Sequence, residues 1–157
     1  YLKPFDGFEK VLRQLGAFGT PVLAYAPGIS ETQKSELASP TLRITAEPVN
    51  LARAAEACDA AVLCGGHGST CEVLLAGKPI LQIPVFLEQR MVAERLVRLG
   101  AGLAVPPSPK AGVSDVLQRL HDEPRFTEAA RSFAAKYVGQ SQEERLAEML
   151  QDIEVLL

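Results

Sequence analysis

The sequence predicts an α/β fold: a parallel sheet with helices on both faces. Three features predict it. Short apolar runs alternate with amphipathic stretches of helical periodicity. The apolar runs are unbroken rather than alternating, as strands covered on both faces require. Glycine and proline punctuate the junctions. Strand–helix alternation of this kind builds βαβ units, and their right-handed crossovers make the sheet parallel.

The elements follow in order along the chain. Residues 8–15 repeat apolar side chains at helical spacing. Residues 21–25 (Pro-Val-Leu-Ala-Tyr) read as a strand stopped by Pro27-Gly28. Residues 30–37 read as a short helix with Ser30 as N-cap. Residues 41–45 form a strand, 49–57 a helix and 60–64 a strand. Residues 69–76 form a helix with Gly77 as its stop. Residues 80–83 are a strand, 88–99 a helix ending at Gly100, and 103–105 a last short strand. After Pro106-Pro107-Ser108-Pro109 the pattern is helical only, over residues 113–121, 126–137 and 142–157, a helical C-terminal tail. That tail is too small for a core of its own. The proline stretch is therefore a loop, and residues 1–157 read as one domain. Tyr1-Leu2 resembles the end of a strand cut short, and the helix after it needs a preceding strand to complete its unit. The expectation is the C-terminal half of a longer protein.

Composition narrows the function. The chain is 47% hydrophobic and 22% charged, which is ordinary globular composition rather than disorder. A net charge of -3 supplies no basic field for nucleic acid or anionic lipid. No apolar run approaches the ~20 residues of a membrane-spanning helix, and Tyr1 opens the chain with no apolar leader. Cys58, Cys64 and Cys71 are an odd set, which favours a reducing, cytoplasmic location. Cys58 and Cys64 bracket a strand roughly 15–20 Å long, so they cannot pair. Their spacing fits no zinc pattern. The three are expected to be small buried hydrophobes.

The chemistry is concentrated in residues 59–72, where a buried strand runs through a glycine-rich turn into a helix. Glycines let a backbone approach a ligand closely. The first N–H groups of a helix lack internal partners and favour an anion, so such a junction binds phosphate. In open α/β sheets ligands gather at this carboxyl edge. On the glycines alone two readings stay open: a phosphate cradle, or a tight turn with close packing. The turn is neither a Walker A loop nor a G-x-G-x-x-G fingerprint. Glu72 is also open to two readings, because Ser69-x-x-Glu72 has capping-box spacing. His67 can be a solvated turn residue or a phosphate contact. Glu88, near a helix start, suits the helix dipole in any case. Lys3 and Asp6 fall near the same edge by topology, and Glu143, Glu144, Arg145 and Glu148 read as a solvated helix face.

Residues 64–89 resemble the donor-binding signature of nucleotide-sugar glycosyltransferases of the GT-B fold. That pattern is a His or similar residue, a glycine-rich turn, Ser or Thr, a Glu three residues on, Gly-x-Pro, Pro, and Asp/Glu-Gln. This sequence reads Cys64-Gly65-Gly66-His67-Gly68-Ser69, Glu72, Gly77-Lys78-Pro79, Pro84 and Glu88-Gln89. The Glu72-to-Gln89 interval equals that of the plant motif. A looser similarity covers residues 43–105. The resemblance implies a Rossmann-like C-terminal GT-B domain, with Gly65, Gly66, His67, Gly68, Ser69 and Thr70 about the donor diphosphate. Glu72 is similar to the ribose-binding glutamate, and Glu88 and Gln89 to the pair that reads the sugar. Pro48 and Val49 lie in the loop whose backbone meets the base. Two positions depart from the pattern: Ala46 stands where the family stacks a Trp, and Cys64 where it usually has a phosphate-contacting His. A thiol is a weak donor and neutral at pH 7.

The implied activity is transfer of a sugar from a nucleotide diphosphate, of UDP type, to an acceptor. The family's catalytic base and acceptor pocket lie mainly in an N-terminal domain, so no catalytic residue is assigned here and this chain alone is expected to be inactive. No metal and no cofactor are implied beyond the donor substrate. Other readings are a nucleotide-sugar 2-epimerase, a donor-binding subunit that docks a separate acceptor-binding partner, or a degenerate domain that has lost its donor.

Overall fold

The computed structural model describes residue 5, residues 7–107, residues 112–139, and residues 146, 147 and 150–152. The expectations for Tyr1, Leu2, Lys3, Asp6, Glu143, Glu144, Arg145 and Glu148 lie outside the described residues. Twelve elements follow one another: α1 (Phe8–Gly16), β1 (Val22–Tyr25), α2 (Glu31–Leu37), β2 (Leu42–Thr45), α3 (Leu51–Ala57), β3 (Ala61–Leu63), α4 (His67–Leu75), β4 (Ile80–Gln82), α5 (Leu87–Leu99), β5 (Gly102–Ala104), α6 (Val113–Asp122) and α7 (Pro124–Ala135). Residues 146, 147 and 150–152 are also helical, as the tail reading expects.

Local chemistry sets the helix starts. Ser30 and Gln33 close a capping box on α2. The Asn50 side chain accepts from the Arg53 N–H at 3.0 Å, so α3 starts two residues later than the apolar pattern alone suggests. Pro124 opens α7, where its missing N–H costs nothing. Glu123 bridges α6 and α7, taking the Arg119 Nε–H on one oxygen and the Arg125 Nε–H on the other, both at 2.6 Å.

All strand pairs are parallel, but they form two ladders rather than one sheet. β1 pairs with β2, and β4 lies between β3 and β5. Among the described residues no backbone bond joins the β1 and β3 edges. The β3–α4 turn follows the carboxyl end of β3, on the edge where ligands collect in open α/β folds.

Helices cover both faces of the second ladder. Residues alternate across a strand: Leu81 of β4, with Ile83 beyond it, packs with Val11, Leu15, Val113, Leu117, Leu120 and Phe126 of α1, α6 and α7. Ile80 faces the other way, into Ala55, Val73, Leu74, Leu96, Ala101 and Ala130. A third cluster of Leu12, Ala26, Leu37, Leu42 and Ile44 closes the first ladder. α1 is tied across the fold: the Gln14 Oε1 accepts the Val113 N–H at 2.9 Å, and the Ser114 hydroxyl donates to the Gln14 carbonyl at 3.3 Å.

Candidate functional site

The β3–α4 junction is built around Gly65 and Gly66. Gly65 is buried at φ +90, in the left-handed region, and a Cβ there would stand 3.0 Å from both Cβ and carbonyl oxygen of Gln89. Only glycine fits that turn. Gly66 is extended and is the N-cap of α4, with no side-chain cap. α4 thus begins at His67, two residues before the position expected for Ser69 as cap. This corrects the capping-box reading. Ser69 lies inside the first turn, and its hydroxyl donates to the Gly66 carbonyl at 3.1 Å, so Glu72 has no box to close. Thr70 is bonded to the same carbonyl through its N–H at 3.0 Å and its hydroxyl at 2.7 Å.

Three donors therefore converge on one carbonyl, while the neighbouring donors stay open. Among the described residues, the N–H groups of Gly65, Gly66, His67, Gly68 and Ser69 have no hydrogen-bond partner. Gly66, His67 and Gly68 are exposed, and nothing lies within 4 Å of where a Gly68 Cβ would be. A row of free N–H groups at a positive helix end is suited to an anion.

The other expected residues are placed as follows. Glu72 is exposed on α4, one turn beyond Gly68 and Ser69, with no side-chain partner among the described residues. His67 is exposed, its Nε2 3.7 Å from the Cys71 sulfur. Thr70 is 4% exposed and turns its hydroxyl inward, so it supports the turn from beneath rather than lining its open side. Glu88 is exposed in the first turn of α5. Gln89 has a local role that the sequence did not suggest. Its Oε1 accepts from the Val85 N–H at 2.8 Å and the Phe86 N–H at 3.2 Å, holding the β4–α5 loop beside Gly65. Pro48 and Val49 lie in the β2–α3 loop, exposed and half-buried respectively.

The cysteines are not the buried hydrophobes expected. Cys64 is exposed and Cys58 and Cys71 are half-buried, all as free thiols. The reason is position: Cys64 follows the end of β3, Cys58 is the C-cap of α3, and Cys71 shares a face of α4 with His67. Partial desolvation by the packed turn raises the Cys64 thiol pKa, so the group standing where a histidine is usual carries no charge at neutral pH.

One polar residue was missed. Gln82 is 0% exposed in the middle strand of the second ladder, and its Nε2 donates to the Thr70 hydroxyl at 2.9 Å. The available signal was a lone amide inside the apolar run 80–83. An open groove of about 770 Å³ lined by Pro84, Arg90, Glu94, Arg98 and Pro106 takes in none of the candidate residues. No described helix is long and apolar enough to cross a membrane.

The chain is similar to known proteins in sequence and in fold. The "UDP-glycosyltransferase UGT5" of Dactylopius coccus is 33% identical over 75 residues, 46% of this chain and 14% of that protein. The glycotransferase of kitacinnamycin superposes with a TM-score of 0.80 at 17% identity, covering 97% of this chain and 40% of its own. The Streptomyces sp. SF2575 glycosyltransferase SsfS6, complexed with thymidine diphosphate, gives a TM-score of 0.70 at 27% identity, covering 91% and 37%. The chain thus spans about two fifths of the solved chains it matches. The architecture is that of a GT-B glycosyltransferase domain. The family model of the erythromycin biosynthesis protein CIII-like C-terminal domain matches residues 9–153, nearly the whole chain, and the protein belongs to that family.

Proposed function

We propose that this chain is the donor-binding half of a glycosyltransferase and holds a nucleoside diphosphate sugar at the β3–α4 turn. The observation that carries the reading is the run of five N–H groups from Gly65 to Ser69, at the start of α4, that have no partner among the described residues. They and the helix dipole neutralise the diphosphate. They also stabilise the charge that develops on it as the sugar departs, because the donors are aimed before the reaction begins. Glu72 stands one turn along, within reach of a ribose hydroxyl. Glu88 and Gln89 open the neighbouring helix beside the same turn and take the sugar. Pro48 and Val49 offer backbone to the base.

No group in this chain is assigned as catalytic base. The acceptor and its base belong to an N-terminal domain or subunit, and the chain alone transfers no sugar. The relatives named above are glycosyltransferases, which favours transfer over epimerisation. One is named for UDP and another holds thymidine diphosphate, so both nucleotides are candidates. The free thiols suit a reducing, cytoplasmic location.

A thermal-shift titration tests the proposal. A nucleoside diphosphate at 100 times its dissociation constant adds about 2.7 kcal/mol, roughly 5–10 °C in Tm for a domain of this size. Cooperative melting with no shift from millimolar UDP or thymidine diphosphate refutes donor binding.

A further inference from the structure

We propose that Gln82 is a positioning residue for the diphosphate-binding turn, acting through Thr70 on the Gly66 peptide; the inference rests on the donor-binding reading above. Gln82 occupies a place where the fold calls for an aliphatic side chain. Its strand neighbours are Ile80, Leu81 and Ile83, and all four are buried. Its Oε1 is buried without a hydrogen-bond partner. A half-satisfied amide in a strand interior is a cost that the fold alone does not require.

The geometry gives the amide a use. Gln82 Nε2 donates to Thr70 Oγ1 at 2.9 Å. Thr70 Oγ1 then has its own proton to give, and it donates to the Gly66 carbonyl at 2.7 Å. The Gly66 C=O and the His67 N–H are opposite edges of one planar peptide. A carbonyl held down by Thr70 and Ser69 therefore leaves the His67 N–H pointing outward, where it has no partner in the described fold. The other end of the amide limits what can stand at the preceding residue: Oε1 lies 3.3 Å from where a Gly65 Cβ would be. Gln82 thus braces the Gly66 peptide of the anion-binding row through Thr70, without touching the ligand.

This role has a signature that a purely structural one lacks: stability and affinity move in opposite directions. Replacing Gln82 with leucine removes the unpaired oxygen and fills the strand with an apolar group, so Gln82→Leu melts about 2–4 °C above the wild type. It also loosens the Gly66 peptide, so the nucleoside diphosphate binds about tenfold more weakly. Affinity for the corresponding nucleoside, which has no phosphate, stays unchanged. Gln82→Met, with a similar volume, reports the same split should leucine disturb the packing. Thr70→Ser keeps the hydroxyl and the affinity, whereas Thr70→Val reproduces the loss.

The experiment is calorimetric titration of UDP, thymidine diphosphate, uridine and thymidine into the chain and these four variants, with a melt of each. Diphosphate binding by wild type, Gln82→Leu and Gln82→Met with equal affinity overturns this inference and leaves the donor reading standing. Parallel losses for diphosphate and nucleoside also overturn it, because they indicate general damage. A wild-type chain that binds neither diphosphate overturns both.

Discussion

Gly68→Ala separates what the fold needs from what a ligand needs. Gly68 is the second residue of α4, and a methyl group there meets nothing within 4 Å. Alanine is the better helix former, so the substitution stabilises by about 0.5–1 kcal/mol, or about 1–4 °C in Tm for a chain of this size. The open side is also where a diphosphate oxygen has to approach the free N–H groups of Gly68 and Ser69. A methyl in that approach costs at least about 1.4 kcal/mol, a tenfold loss of affinity. Gly65→Ala is the control with the opposite fold effect. Its φ of +90 adds about 1–2 kcal/mol for any L side chain, and the new Cβ would press at 3.0 Å on the Gln89 carbonyl, which is α5 backbone and cannot step aside. The sum is about 2–4 kcal/mol, a fall of roughly 5–15 °C. Differential scanning fluorimetry and calorimetric titration of UDP or thymidine diphosphate read both quantities. A stable Gly68→Ala variant that binds the diphosphate as tightly as the wild type refutes the placement of phosphate at this turn.

Three further outcomes are expected. Glu72→Ala collapses the ratio of UDP to 2′-deoxy-UDP affinity towards one, from roughly 5- to 100-fold, with little change in stability because no capping box exists to lose; a ratio near one in the wild type means that Glu72 does not read a 2′-hydroxyl, as a thymidine diphosphate site requires. Cys64→His tightens diphosphate binding by about tenfold through a charge-assisted hydrogen bond; unchanged calorimetric affinity shows that the backbone donors already suffice. The Arg119 and Arg125 guanidiniums hold the Glu123 carboxyl below its ordinary range, so its contribution is full above the ordinary glutamate range of about 4–5 and fades as pH falls through the lowered value. Urea midpoints of wild type and Glu123→Gln should therefore differ at pH 7 and converge in acid, and a gap that persists at pH 2.5 contradicts the ion-pair account.

Most of the fold was legible because its signals are local. Ser30 capped where expected, Gly77 and Gly100 ended their helices, and a strand was read at each of the five places where one is described. The candidate turn was legible for the same reason, since glycines between a strand and a helix leave few conformations. What was not legible depended on side-chain partners that periodicity does not encode. The start of α4 was placed at Ser69 because Ser69 and Glu72 have capping spacing, yet Thr70 and Ser69 both turn back to Gly66 and pull the helix two residues earlier. Gln82 looked like part of an apolar strand, and only its contact with Thr70, twelve residues earlier, shows a use for it. Gln89 bonds to Val85 and Phe86 through a loop whose shape no periodicity encodes. The cysteines read as core because thiols usually are, but here all three fall at element ends or on an open helix face. A parallel sheet was expected from the strand–helix alternation, and within each ladder the strands are parallel. Their division into a β1–β2 and a β3–β4–β5 ladder is a matter of tertiary placement.

The link between α1 and α6 bears on how the chain is made. Val11 and Leu15 are covered by Val113, Leu117 and Leu120, and Gln14 bonds to Val113 and Ser114, about a hundred residues later. At a translation rate of about 5–20 residues per second, the apolar stripe of α1 leaves the ribosome roughly 5–20 s before its cover does. During that interval the first ladder can form, but its helix stays half naked, a ready client for a holding chaperone. Synonymous codons that slow the ribosome before residue 113 should lengthen that exposure, and the soluble yield of the protein should fall with it.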